Sequence, residues 1–371
     1  MALKVAIIGC GKIADGHIEE IQKIPALARI VAVADLEILM AEQAAVRYGI
    51  PNHYDDIDRM LAVEKPDVVH ITTPPQSHLA LAMKAMDAGA HVYVEKPLTL
   101  NYPDSKRLVD HAVAAGKKLT IGYSYLFDPP AMKMREMVTE GLLGEPIHID
   151  SFYGYNLSGA FGAALLGDGA HWVHRLPGKL FHNNIDHLLY KITEFLVDDS
   201  TPENPLGSLK ITATGSVRRE GRFGDVRDEM LDELRVMISG GKTSVFGMFS
   251  SHIKPAGHYA RVYGTRNTLF VDYVMRTVTL DAQSKLPSAF GRLVPAFDQG
   301  LQYLRAGGEN LVRFARNDFH YFSGLNRLFS MYYASIIDDG PPPISYRDIL
   351  RISAIMDEIF RQVPQNGRLA S

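Results

Sequence analysis

Glu95, Lys96 and Pro97 stand directly behind the apolar run Val92-Tyr93-Val94, so a carboxylate and an ammonium arrive together at the end of one short strand. An ammonium at such an edge stabilises negative charge that builds on a ligand oxygen, and a desolvated lysine also takes part in proton transfer. The competing reading of Lys96 is an anchor for a tight cis-proline turn. A second cluster comprises His182, Asn183, Asp186 and His187, three to five positions apart, a spacing that shares one helix face. His187 is the expected general acid/base, because imidazole titrates near neutral pH. The choice between Asp186 and His187 stays open at this point. His182 and Asn183 are then expected substrate ligands, against the bland alternative of an N-capped helix with incidental polar residues.

Gly9-Cys10-Gly11-Lys12-Ile13-Ala14 follows an apolar strand and opens a helix, and Asp35 ends the next strand. In that context the glycines permit a tight turn and close approach to a pyrophosphate, while Ala14 lets helix pack on strand. Free N–H groups at the helix start suit phosphates. The expected ligand is a dinucleotide held by Gly9, Gly11, Lys12, Ile13, Ala14 and Asp35. Asp35 would accept from ribose hydroxyls and repel a 2′-phosphate, which favours NAD over NADP; otherwise it caps the following helix. Cys10 is read as a small filler of the loop. The stretch Thr72-Thr73-Pro74-Pro75-Gln76-Ser77-His78 ends another strand, adding Thr73, Pro74, His78, Glu95 and Lys96 to the expected cofactor contacts.

The elements that must position these groups form two blocks. Val5–Ile8, Ile30–Ala34, Val68–Thr72, His91–Val94 and Lys118–Ile121 are near-continuous apolar runs alternating with helical patterns at Asp15–Lys23, Leu39–Tyr48, Ser77–Ala88 and Tyr102–Ala115. That grammar predicts a doubly wound α/β Rossmann domain over 1–122, with a parallel sheet covered on both faces. Gly49, Gly89 and Gly116 sit where left-handed helix caps belong. After Gly122 the pattern changes to a helix at Ala131–Glu140, a strand at Ile147–Tyr155, a helix at Asp186–Val197, and strands at 209–217, 231–239, 243–250, 260–263, 268–272 and 277–280 with polar alternation. An α+β second domain over 123–340, with a large, open, mostly antiparallel sheet, is expected to bind substrate and to mediate oligomerisation. Helix 346–362 is expected to pack back on the first domain.

Composition narrows the partners. The chain has 371 residues, a formal net charge of −3, 46% hydrophobic and 22% charged residues. No polyanion-binding field follows, so nucleic acid is not an expected partner. One cysteine excludes an internal disulfide and a Cys-based zinc site. No apolar run approaches the roughly 20 residues of a membrane span, and the start lacks the pattern of a signal peptide. A cytoplasmic location is expected.

Taken together, Glu95-Lys96-Pro97, the glycine loop, His17 and the Thr-Pro…His78 stretch resemble the Gfo/Idh/MocA family, whose members include glucose-fructose oxidoreductase and inositol dehydrogenase. The likeness extends through Gly122–Pro129, Arg261-Val262-Tyr263-Gly264-Thr265 and Gly340-Pro341-Pro342-Pro343-Ile344-Ser345. It implies an NAD-dependent sugar or polyol dehydrogenase with Lys96 beside the nicotinamide and the reacting hydroxyl. The family's helix signature has a histidine three positions before an aspartate; here Asp186 and His187 are adjacent, and a gapless match puts Asp186 in the histidine's place. The resemblance implies a sugar, inositol or nucleotide-sugar substrate; a hydride reaction needs no metal, which makes a His/Asp metal site the lesser alternative, and the open sheet face suggests a homo-oligomer built through the C-terminal sheet. Two other readings stand beside it: a glycosidase or epimerase that retains NAD and acts by transient oxidation, and a non-catalytic dinucleotide sensor. His171-Trp172-Val173-His174 either lines the sugar pocket, with Trp172 on the sugar face, or forms a surface loop. Tyr125 and Asp128 are weaker substrate-contact candidates, with a structural role favoured.

The stretch 289–321 is left over. Phe290, Leu293, Val294, Phe297, Leu301 and Leu304 fall at helical spacing, interrupted at Gly307-Gly308 and resuming at Leu311, Val312 and Phe314 with Arg313 and Arg316. It reads as a helical insertion packing on the sheet or on another subunit, in preference to a membrane-surface helix or a clamp on an anionic substrate.

Overall fold

The computed structural model describes residues 2–157, 160–197, 199–201, 203–218, 230–283, 286–320 and 322–363. The chain divides into two compact units, Met1–Ser124 with Gly324–Ser353, and Tyr125–Ser323 with Ala354–Ser371. Helix 346–362 contributes its first half to one unit and its second half to the other.

In the first unit, strands β1 (Leu3–Ile8), β2 (Ala28–Ala34), β3 (Asn52–Tyr54), β4 (Val68–Ile71), β5 (His91–Val94) and β6 (Leu119–Ile121) form one sheet in the order β3-β2-β1-β4-β5-β6. Every neighbouring pair is parallel. Helices α1 (Lys12–Gln22), α2 (Ile38–Tyr48), α3 (Ile57–Glu64), α4 (His78–Asp87) and α5 (Tyr102–Ala114) make the crossovers. The central strands are buried on both faces, which is why their sequences run apolar without alternation. Gly49 closes α2 at φ +66° in the left-handed region, where a side chain would be strained. The sequence pattern predicts neither β3 nor α3, because a three-residue strand and an eight-residue helix leave too little periodicity to see.

The second unit begins with α6 (Pro129–Thr139), then β7 (Pro146–Asn156), α7 (Ala160–Gly167), α8 (Lys179–Asn184) and α9 (Asp186–Thr193). Strands β8 (Lys210–Ser216), β9 (Glu233–Gly240), β10 (Thr243–Ser250), β11 (His252–Gly264), β12 (Asn267–Asp272) and β13 (Thr277–Ala282) complete a sheet ordered β13-β12-β11-β7-β10-β9-β8. Only β7 and β10 pair in parallel; the other pairs are antiparallel. One sheet face is buried under α9: Ser151 donates its hydroxyl hydrogen bond to the Leu188 carbonyl at 2.7 Å, and Ile149 and Val245 are buried beside it. The other face exposes the cross-strand pair Met237 and Phe246. Along β9 and β10 buried and exposed positions alternate, as in a sheet with one covered side.

Helices α10 (Ser288–Ala315), α11 (Ser323–Ile337) and α12 (Tyr346–Gln362) follow. The expected interruption at Gly307-Gly308 is wrong: α10 runs through both glycines. Each glycine costs only about 1 kcal/mol in a helix interior, and hydrogen bonds along the rest of α10 hold it. α11 belongs to the first unit, where the Tyr332 hydroxyl donates to the Val92 and Lys118 carbonyls at 2.9 and 2.8 Å.

Candidate active site

The glycine loop turns at Gly9, whose φ of +98° lies in the left-handed region. A Cβ there would sit 2.8 Å from Thr73 Cγ2 and 2.9 Å from the Thr73 nitrogen. The residue is glycine for two independent reasons, conformation and space. Gly11 differs: it adopts an extended conformation as the N-cap of α1, receives no side-chain cap, and a Cβ there would meet nothing within 4 Å. The helix therefore presents its first N–H groups to open space, as an anion requires. Lys12 is exposed, Ile13 is half-buried and Ala14 is buried against the sheet.

Asp35 ends β2 and braces this loop. Its Oδ2 accepts the Cys10 N–H at 2.7 Å and its Oδ1 the Glu37 N–H at 3.0 Å. It is not the N-cap of α2; Glu37 holds that position. Arg47, the nearest downstream arginine in sequence, pairs with Asp15 at 3.2 Å. The Cys10 thiol is buried and pushed up to about 12 by burial and by Asp35 and Asp15, which suits a filler and not a nucleophile.

The loops after β4 and β5 are tied together by His78. Its Nε2 lies 2.8 Å from the Thr73 carbonyl and its Nδ1 2.9 Å from the Pro97 carbonyl. The ring is fully buried, and burial lowers its pKa despite these carbonyl contacts. His78 thus acts in the structure as a brace that joins the Thr73-Pro74 turn to the cis Lys96–Pro97 peptide.

Behind Lys96 lies a chain of hydrogen bonds that sequence reading finds only at its first link. Glu95 Oε2 accepts the Lys96 N–H at 3.1 Å, and Glu95 Oε1 meets His17 Nε2 at 2.9 Å and the Tyr93 hydroxyl at 3.2 Å. His17 Nδ1 lies 3.0 Å from His70 Nδ1, and His70 Nε2 lies 2.8 Å from the Tyr333 hydroxyl. His17, His70 and Tyr333 are fully buried. Burial raises the Glu95 carboxyl, but the His17 bond and the Lys96 charge outweigh it and the net shift is downward. Burial holds His70 well below the ordinary histidine range, helped by His17. With Glu95 ionised and both histidines neutral, the protons run one way: Tyr333 O–H donates to His70 Nε2, His70 Nδ1–H to His17 Nδ1, and His17 Nε2–H to Glu95. The available signal was a lone histidine inside the apolar run Val68-Val69-His70-Ile71.

In the second unit, the expected helix over 186–197 is α9, ending at Thr193, but the cluster from His182 to His187 does not share one helix: α8 and α9 meet at Ile185 and send the expected ligands to different neighbours. The His182 ring stacks on Phe360 with centroids 5.0 Å apart and is buried. Asn183 is half-buried. Asp186 is fully buried and its Oδ1 accepts the His187 N–H at 2.8 Å, an acidic first-turn residue at the start of α9. The His187 ring enters an aromatic cluster: Nδ1 is 2.9 Å from the Tyr190 hydroxyl, and Tyr125 and Tyr153 lie at centroid distances of 5.3 and 5.0 Å. Trp172 lies in a 3-10 turn, half-buried and stacked on His171 at 5.5 Å. Asp128 is buried as the N-cap of α6.

Two further residues in this cluster escape the sequence reading. His258 on β11 is buried, contacts Tyr125 edge-on at 4.5 Å and stacks on Tyr273 at 4.5 Å. Its Nε2 is 3.3 Å from the His187 carbonyl, and its Nδ1 has no hydrogen-bond partner among the described residues. Lys191 is buried with Nζ donating to the Phe152 and Tyr259 carbonyls at 2.7 and 3.0 Å, and burial holds it well below the ordinary lysine range. Neither has a local motif; a strand histidine and a helix lysine declare themselves only by what packs around them. A separate Asp232, Glu233 and His252 group brings ligand-type atoms within 4.8 Å of one another. Two of its members pair with each other and the third with an arginine: His252 Nε2 with Asp232 at 2.7 Å, and Glu233 with Arg235 at 3.0 Å.

Residues 3–123 match the model of an oxidoreductase family with an NAD-binding Rossmann fold. Among curated proteins, the chain is 35% identical over 143 residues to D-glucoside 3-dehydrogenase of Escherichia coli (strain K12), covering 38% of this chain and 41% of that one. It is 30% identical over 149 residues to inositol 2-dehydrogenase of Burkholderia cenocepacia (strain HI2424), covering 40% and 44%. The chain thus spans less than half the length of these curated relatives. Solved structures extend the likeness of fold to nearly the whole chain. The WlbA dehydrogenase of Bordetella pertussis, in complex with NADH and UDP-GlcNAcA, superposes with a TM-score of 0.74 at 18% identity over 97% of this chain and 95% of that one. An NAD-binding oxidoreductase of Klebsiella pneumoniae gives 0.75 at 21% identity over 97% and 96%.

Proposed function

We propose that this chain, whose residues 3–123 match the Gfo/Idh/MocA oxidoreductase family with its NAD-binding Rossmann fold, is a member of that family and transfers a hydride between NAD and a hydroxyl or carbonyl carbon of a sugar, inositol or nucleotide sugar. The observation that carries the reading is the pairing of an open helix N-terminus at Gly11 with the braced Glu95-Lys96 turn, both at the carboxyl ends of parallel strands. The residues fit the cofactor: a side chain at Gly11 would fill space that is clear, and Asp35 puts a carboxylate where ribose hydroxyls donate. Asp35, with no arginine or lysine following it before Arg47, favours NAD over NADP. Gly9, Gly11, Lys12, Ile13 and Ala14 would hold the pyrophosphate, and Thr73 and Pro74 would border it. When bound, NAD supplies the two-electron acceptor or donor.

The chain's own residues manage the proton and the charge. Lys96 places an ammonium beside the substrate oxygen and stabilises alkoxide character there. Glu95, held ionised by His17, fixes the Lys96 backbone through the accepted N–H. His187 is the general acid/base, and Asp186 orients it through its backbone N–H. Tyr125, Trp172 and Asn183 are the remaining substrate contacts in this reading; His182, buried against Phe360, is not one of them. The polyol and sugar dehydrogenases among the relatives support the substrate class. Cytoplasmic action and a homo-oligomer through the sheet face that carries Met237 and Phe246 belong to the same reading; no described helix is long and apolar enough to cross a membrane.

The test is NADH formation across free sugars, inositols and nucleotide sugars, with wild type and Lys96→Met. Removing the ammonium is expected to lower kcat at least about 100-fold on the active substrate. A Lys96→Met enzyme as fast as wild type overturns the assignment. Turnover without net NADH identifies transient oxidation instead, and NAD binding with no turnover on any substrate identifies a sensor.

A further inference from the structure

α10 is built inside out. Its inward side is polar: the Gln302 amide accepts the Leu280 N–H at 2.8 Å and donates to the Leu280 carbonyl at 2.9 Å, so it occupies the free edge of β13 as a neighbouring strand would. Gln299 reaches the same carbonyl at 3.1 Å, and Asn310 donates to the Met275 carbonyl at 3.0 Å. The apolar side faces outward. Phe297, Leu304, Leu311 and Phe314 are 72%, 75%, 68% and 67% exposed. On the order of 1,000 Å² of apolar surface per chain lies on this face, more than a monomer ordinarily leaves to water and comparable with the roughly 800 Å² per partner of a stable interface.

The outward face has a seven-residue repeat. Phe290, Phe297, Leu304 and Leu311 recur every seventh position, and Leu293, Gly300, Gly307 and Phe314 form the second seam position of the same repeat. An antiparallel copy of this helix centred on Gln302 sets each residue of the first series against one of the second. Phe297 meets Gly307 of the copy, Leu304 meets Gly300, Phe290 meets Phe314, and Leu311 meets Leu293. Large side chains fall on glycines at the centre, where two crossing helices come closest, and large falls on large towards the ends, where they diverge. A parallel pair fails, because Phe297 would meet Phe297 while Gly300 faced Gly300, alternating overlap with void.

We propose that the outward face of α10 is a self-complementary docking surface for a second copy of this chain, paired antiparallel about Gln302. The two-fold axis makes the contact isologous and closed. This goes beyond the catalytic reading and does not depend on it, and it is a different surface from the open sheet face. A lipid surface is the poorer occupant. Gly300 and Gly307 add nothing in a headgroup layer, whereas they permit close helix approach. The polar side that would meet headgroups is instead bonded to β13.

The experiment is sedimentation velocity on the full chain, with circular dichroism as the fold control. Leu304→Glu and Gly307→Leu should each halve the wild-type mass, the first by burying a charge and the second by filling the slot for Phe297. Gly307→Leu separates the readings, because a helix that binds membranes gains from the added leucine, as measured by cosedimentation with vesicles containing phosphatidylserine. A single Leu301→Cys substitution, beside the axis, should give a disulfide-linked dimer under mild oxidation. Phe290→Cys should not, since two copies of it would lie about 36 Å apart at 1.5 Å per residue. Unchanged mass in both seam variants, vesicle binding that Gly307→Leu strengthens, or equal cross-linking at 301 and 290 overturns the proposal. The Leu301→Cys result stands even where a seam variant fails to fold.

Discussion

Replacing Tyr333 with phenylalanine removes one oxygen from the far end of the chain that begins at Glu95. The Tyr333 hydroxyl is 2.8 Å from His70 Nε2, and both residues are fully buried. Phenylalanine keeps the ring contacts with Phe329 and His70, so no large cavity opens. The cost is that of an orphaned buried acceptor, about 1–3 kcal/mol. His70 cannot escape by moving its proton to Nε2, since that N–H would also lack a partner and His17 Nδ1 would lose its donor. For a unit of this size, about 2 kcal/mol corresponds to a melting shift of roughly 4–8 °C. The assay is urea denaturation of wild type, Tyr333→Phe, His70→Phe and the double variant. In the His70→Phe background the tyrosine hydroxyl is itself the orphan, so Tyr333→Phe there should be neutral or stabilising. Equal cost in both backgrounds would show that the loss does not come from the bond to His70 and would refute that link of the chain.

Gly9→Ala forces a left-handed backbone, worth about 1–2 kcal/mol, and drives a Cβ against Thr73. Lower urea midpoints together with weaker NAD binding by fluorescence titration are expected; an unperturbed variant would be inconsistent with the loop geometry. Asp35→Ala should weaken NAD about 10–100-fold, the loss of charged hydrogen bonds, while narrowing the gap to NADP; equal affinity of wild type for both cofactors would contradict the role given to Asp35. Acid should destabilise the fold. His70, His78 and His258 are lowered by burial, and His91 falls to about 4. Each is more protonated when unfolded, so stability is full above the ordinary value of 6.5 and is lost as pH falls from there towards the folded values. Urea midpoints that stay level between pH 7 and 5 would count against their buried neutral state.

Local chemistry made half of this protein legible in advance. Gly9, Gly11 and Asp35 act through backbone conformation and short sequence separation, and a parallel sheet buried on both faces leaves continuous apolar runs that anyone can read. Glu95 and Lys96 were visible because a charged pair at a strand end is conspicuous. The short β3 and α3 were invisible, since neither completes enough turns or alternations to carry a period. What tertiary structure alone decided was company: His70 between His17 and Tyr333, His258 between Tyr125 and Tyr273, and the break at Ile185 that sends His182 to Phe360 and His187 to Tyr190. α10 shows the division most plainly. Its apolar stripe can be counted in the sequence, but which side faces the protein was settled by Gln302 bonding to the β13 edge. A stripe along a helix points inward or outward only relative to what packs beside it, and the sequence of the helix does not contain its neighbours.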